Sequence, residues 1–183
     1  MKKKLFLVSC CAPCAVAVIE KLNNEGRDFK VIFFNPNIHP EEEYIKRRDE
    51  QKAVCEKFGV EFIELLYEPK GWFESIRGLE DEEERGKRCS VCFYYRIKKV
   101  MEFAKECGDD IEVASVLGVS RWKDLKQVNE AGYKASFDTG IDYVEVEGRK
   151  GGMQERRNTL IKEMGLYNQD YCGCVFSKKN KLC

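Results

Sequence analysis

Lys4-Leu-Phe-Leu-Val-Ser-Cys-Cys-Ala-Pro-Cys14, followed by Ala15-Val-Ala-Val-Ile-Glu-Lys-Leu22, is the stretch that decides the fold. A short continuous apolar run reads as a buried strand, and Ala15, Val18, Ile19 and Leu22 then recur at helical spacing until Gly26. Three cysteines therefore sit in a strand-to-helix turn. The same alternation continues along the chain. Val31-Ile-Phe-Phe34 is a second strand ending in the turn Asn35-Pro-Asn-Ile-His-Pro40, and residues 41–58 read as a long polar helix. Val60 to Leu66 predicts a third strand. An acidic, irregular stretch from Tyr67 to Lys87 precedes a helix opened by Cys89, with the apolar stripe Phe93, Ile97, Val100 and Ala104 and a stop at Gly108. Ile111 to Leu117 predicts a fourth strand, Lys123 to Ala131 and Met153 to Met164 helices, and Tyr167 to Cys174 no regular element.

Strands alternating with helices predict an α/β fold with a mostly parallel sheet flanked by helices and a less regular C-terminal part. Ligands of such sheets bind at the carboxyl ends of the strands, where the first cysteines and the Asn35 to Pro40 turn both lie. At 183 residues, without an internal repeat or a Pro, Gly or Ser linker, the chain is expected to be one α/β metalloenzyme domain over 1–183. No apolar run approaches the roughly 18 residues of a membrane helix. The basic start lacks a signal-peptide cleavage site, so a cytoplasmic location is expected.

Seven of the ten cysteines fall into three groups: Cys10, Cys11 and Cys14; Cys89 and Cys92; Cys172 and Cys174. In a cytosolic chain such grouping predicts metal or redox chemistry rather than structural disulfides. Cys11 and Cys14 share one face of a helix start, where the helix dipole favours thiolates. Cys10 is expected to leave the strand end in the opposite direction from Cys11, so that the two serve different metals or one serves none. Cys89 and Cys92 form a knuckle that offers two sulfurs. In Cys172-Gly173-Cys174, Gly173 is expected to remove a side chain that would crowd a metal. Cys55, Cys107 and Cys183 read as core or bystander thiols.

Four thiolates saturate a zinc ion or a [4Fe-4S] cluster, and a second metal held by three keeps an open, catalytic position. Two other readings fit part of the pattern: a thioredoxin-like oxidoreductase using Cys11 and Cys14, and a zinc-stabilised RNA-binding module. Neither uses all seven thiols. The chain has no phosphate loop of the G-x-x-x-x-G-K-[ST] kind and no Cys-x-x-x-Cys-x-x-Cys radical motif. Zero net charge argues against a general nucleic-acid coat, leaving local basic patches at Arg85, Lys87 and Arg88, at Arg96, Lys98 and Lys99, and at Arg149 and Lys150.

Four segments in order, Ser9 to Cys14, Phe34 to Pro40 with Glu43, Tyr44 and Arg47, Arg88 to Cys92 with Tyr95 and Arg96, and Leu166 to Cys174 with Phe176 and Ser177, resemble the cobalamin-independent epoxyqueuosine reductase family, QueH. The chain departs from that pattern at Ala114 to Trp122, where the family reads as a Thr-rich strand ending in Ser-Pro-Tyr. The resemblance implies a fold similar to adenine-nucleotide alpha hydrolase-like (Rossmann-like) domains. It implies two-electron reduction of epoxyqueuosine in tRNA to queuosine, with a [4Fe-4S] cluster beside a mononuclear iron and an external electron donor. Cys10, Cys11, Cys14, Cys89, Cys92, Cys172 and Cys174 are then metal ligands, with Cys89, Cys92 and two further thiols favoured on the cluster. Asp170, Tyr171 and His39 are candidate proton donors. Arg85, Lys87, Arg88, Arg96, Arg149 and Lys150 are candidate phosphate contacts, and Trp122 or Tyr95 a base-stacking surface.

Overall fold

A computed structural model describes residues 3–108 and 110–179. Five strands form one all-parallel sheet in the order β3-β2-β1-β4-β5, with β1 at Lys4–Ser9, β2 at Phe29–Phe33, β3 at Glu61–Glu64, β4 at Ile111–Ser115 and β5 at Asp142–Tyr143. The central strand is apolar on both faces because both are covered. Leu7 pairs with Val31 on one side and Ala114 on the other, and it is fully buried.

The helices fall into two groups that flank this sheet. Helix α1 (Ala12–Asn24) packs on α2 (Glu41–Phe58) and α6 (Met153–Glu163), while α4 (Lys87–Cys107) packs on α5 (Leu125–Thr139). The chain runs outward from β1 to β2 and β3 and then crosses back to β4, so strand order reverses between β1 and β4. That reversal opens a crevice beyond the carboxyl ends of these two strands. Cys10 follows β1 directly, and a 3-10 turn, Leu117–Val119, follows β4. Among the described residues no helix is long and apolar enough to cross a membrane.

The sheet and its flanking helices match the sequence expectation, with differences at short or glycine-containing elements. The acidic stretch contains a helix, α3 (Pro69–Ser75), started by Pro69 and capped by Glu68, whose carboxylate accepts from the Gly71 N–H at 3.1 and 3.2 Å. Helix α5 runs eight residues past the expected Ala131, through Gly132. A Cβ on Gly132 would lie 2.4 Å from the Tyr143 ring, so glycine there lets β5 approach the helix. The segment after β4 folds as the 3-10 turn, and a short helix, α7 (Val175–Lys179), follows the last cysteine pair.

Candidate metal centre

Cys10, Cys11 and Cys14 are buried, and their Sγ atoms all lie within 4.8 Å of one another. The Cys10 and Cys11 sulfurs are 3.6 Å apart. The expected divergence of these neighbours is therefore overturned. Strand alternation stops at Ser9, Cys10 occupies a bend, and Cys11 is the N-cap of α1 with φ −174° and ψ 152°. The chain turns between the two residues and swings both thiols to one side. Hydrogen bonds from Cys11 and Cys14, then the charges of Lys123 and Arg96, hold the Cys10 thiol well below its usual range. That same anion raises Cys11 well above the usual range and pushes Cys14 up to about 11.

The other four clustered thiols form a wider set. Cys89 and Cys92 occupy the first turns of α4, and Cys92 and Cys174 pack with Trp72 and Ile76, with Cys172 against them. Among the described residues, no three of these four sulfurs meet the 4.8 Å spacing of the first triad. Burial first, then the neighbouring Cys thiolates, push Cys89 up to about 11 and Cys174 to about 12. Ligand thiols must lose these protons, so metal uptake strengthens as pH rises.

Arg47, 1% exposed, ties the C-terminal pair to α2. Its guanidinium donates to the Cys172 and Tyr171 carbonyls at 3.0 and 3.3 Å and pairs with Glu43 at 2.6 Å. Gly173 has φ +100°, and a Cβ there would lie 2.8 Å from Arg47 Nη1 and 3.1 Å from Ile38. The glycine thus makes room for Arg47. Gly173→Ala is expected to cost about 1–3 kcal/mol in backbone strain. It should also displace both flanking thiols, seen as a lower Tm and lower metal content.

Two further buried cations, Lys123 and Arg96, stand beside the triad. Lys123 is 4% exposed with Nζ 3.6 Å from Cys10 Sγ. Burial alone would push its pKa down, yet the charges of Cys10, Cys172, Cys14 and Cys11 hold it above its usual value. It therefore feels both thiol sets. Arg96, fully buried, donates to the Phe34 carbonyl at 3.3 Å and to Asn35 Oδ1. Among the described residues no salt bridge to a carboxylate is seen for Lys123 or Arg96, and an uncompensated buried charge is costly. The anion near both is the Cys10 thiolate. The Gln169 amide completes the surround, with Nε2 2.6 Å from Cys11 Sγ.

The remaining expectations divide. Arg88 is 2% exposed and donates to the Leu79, Glu80 and Glu82 carbonyls, so it braces the acidic loop instead of meeting phosphate; burial removes Arg96 from that role too. Arg85, Lys87 and Lys150 are exposed, while Arg149 is half-buried and ties the Ser120 and Lys123 carbonyls. Tyr95 packs against Phe34, and Trp122 lies at the rim of the site under Arg121. The Tyr171 hydroxyl donates to the His39 carbonyl at 3.0 Å, and burial pushes it up to about 12. The His39 ring lies against Trp72 and Phe73, and Asp170 is exposed. Cys55 is a core thiol beside Gln51, Cys107 is exposed, and Cys183 lies outside the described residues. Sequence reasoning missed Lys123 altogether, because its contact with Cys10 spans 113 residues. Arg47 and Gln169 lay within the quoted segments, but nothing in their spacing marked a role.

A family model described as epoxyqueuosine reductase QueH matches residues 5–180. Among curated relatives, a Histophilus somni epoxyqueuosine reductase QueH is 43% identical over 179 residues, covering 97% of this chain and 73% of the relative. A Thermotoga maritima protein of the same name is 32% identical over 171 residues, covering 92% and 86%. Among solved structures, the U34-tRNA thiolase NcsA from Methanococcus maripaludis with its [4Fe-4S] cluster aligns with a TM-score of 0.53 at 14% identity. That alignment covers 92% of this chain and 58% of the thiolase, and it is a likeness of fold.

Proposed function

The chain belongs to the epoxyqueuosine reductase QueH family, and from that premise we propose that it reduces epoxyqueuosine in tRNA to queuosine through two metal groups held by seven thiols. The reaction is an oxidoreduction: the epoxide takes up two electrons and two protons, both C–O bonds break, an alkene forms and the oxygen leaves as water. The observation that carries the reading is the division of the thiols into a tight triad and a wider quartet, with Lys123 feeling both.

Cys89, Cys92, Cys172 and Cys174 are proposed to hold a [4Fe-4S] cluster, and Cys10, Cys11 and Cys14 a single iron with an open position. The donor sets fit: four dispersed thiols match a cluster, three converging ones an ion, and the buried cations offset the anionic charge of both. When bound, the cluster would supply single electrons and the iron a Lewis acid. The protein's own contribution is electrostatic and geometric. Lys123, Arg96 and Arg47 hold anionic sulfur in a buried space, Arg47 anchors the segment that carries Cys172 and Cys174, and Gln169 orients Cys11. Asp170, Tyr171 and His39 are the proposed proton-donor candidates: Asp170 meets solvent, the Tyr171 hydroxyl donates to the His39 carbonyl, and His39 packs on aromatic rings. An external donor would supply the electrons. Arg85, Lys87 and Lys150 would meet tRNA phosphates, and residues 1–183 would act as one cytoplasmic domain.

A thiol-exchange role for Cys11 and Cys14 is disfavoured by their burial, since exchange needs an accessible thiolate. Iron and acid-labile sulfide analysis on protein purified without air, combined with turnover of epoxyqueuosine-containing tRNA, tests the proposal. About five irons and four sulfides per chain are expected, with conversion to queuosine. Zinc without sulfide, or no conversion by the iron-loaded protein, would overturn it.

A further inference from the structure

Trp122 lines two cavities that border the thiols. The cavity beside Cys89, Cys172 and Cys174 has a volume of about 20 Å³ and has no space for a substrate. The other has a volume of about 220 Å³ and reaches Cys14 of the triad. That is room for one substituted five-membered ring and lies below the roughly 300 Å³ at which sites for drug-sized ligands begin.

Its walls have a particular chemistry. Asn158, Asn168 and Gln169 present carboxamides, each a donor and an acceptor, which match hydroxyl groups that are likewise both. Gln169 also joins this wall to the triad through its contact with Cys11. Arg157 lies in the wall and donates to Asn168 Oδ1 at 3.3 Å, and among the described residues no carboxylate lines the space to repel tRNA phosphate.

On the reading of the site given above, we propose that this cavity admits the hydroxylated cyclopentane ring of epoxyqueuosine and excludes the rest of the nucleotide. The carboxamides of Asn158, Asn168 and Gln169 bind the ring hydroxyls and aim the epoxide at the triad. The base stays outside, against Trp122. The cavity is thus the element that tells this substrate from tRNA lacking the ring. A hydroxyl-matched pocket of this kind discriminates by leaving its own polar groups unpaired when the ring is missing.

Asn158→Trp and Asn168→Trp fill the space from exposed positions, away from the thiols. Three quantities decide the matter in the parent and both variants: iron and sulfide content, affinity for tRNA with epoxyqueuosine and for the same tRNA with guanosine in its place, and kcat/KM. The parent should prefer the epoxyqueuosine tRNA. Both variants should keep parental iron, sulfide and affinity for the guanosine tRNA, lose the preference, and fall in kcat/KM on the order of a hundredfold. Variants with intact metal content that retain the preference and the turnover overturn the cavity assignment while leaving the reductase reading in place. A parent loaded with iron and sulfide that does not convert the tRNA overturns that reading, and the ring assignment with it.

Discussion

Cys92→Ser is expected to remove acid-labile sulfide and epoxyqueuosine reduction together, leaving about one iron per chain. Cys92 sits on the second turn of the helix that opens the wider thiol set, 7% exposed and walled by Trp72 and Ile76. A serine hydroxyl is a poor ligand for iron beside soft thiolates. The contrasting variant is Cys11→Ser, which should keep the sulfide, lose the single iron and be equally inactive. Iron-to-sulfide ratios therefore separate the two sets where activity alone does not. Full sulfide in Cys92→Ser would remove that residue from the cluster.

The second large effect is expected at Lys123. Lys123→Met removes a cation that feels both thiol groups. Reduction adds negative charge, which a nearby ammonium stabilises, so its loss makes reduction harder. At an effective dielectric of about 20, a unit charge some ångströms away shifts a one-electron potential by on the order of 100 mV, toward more negative values. A redox titration followed by EPR should read that shift, with turnover reduced and Lys123→Arg restoring the potential. A merely structural lysine would lower Tm and leave the potential alone.

Much of this architecture is legible in the residues before any coordinates. Leu5 to Val8 and Val31 to Phe34 are unbroken apolar runs because both faces of a parallel strand are buried, and the cysteines lie where strand gives way to helix. What stays hidden depends on distant partners. Strand β5 has two residues and exists because β4 offers an edge. Arg88 and Arg96 look like surface charges beside a cysteine pair, and only the loop carbonyls and Asn35 that fold over them show that they are interior braces. Cys10 and Cys11 alternate as strand residues should, until the N-cap geometry at Cys11 turns them together. Lys123 carries no local signal at all.

The long reach between Cys89 in α4 and the Arg47-anchored Cys172-Gly173-Cys174 segment sets the order in which the molecule is assembled. The first triad is local to positions 10–14, whereas the proposed quartet does not exist until Cys174 has been synthesised and drawn onto α2. A cluster held by the proposed quartet would accordingly be bound only once the last segment lies under Arg47, so that its retention would report the docking of that segment.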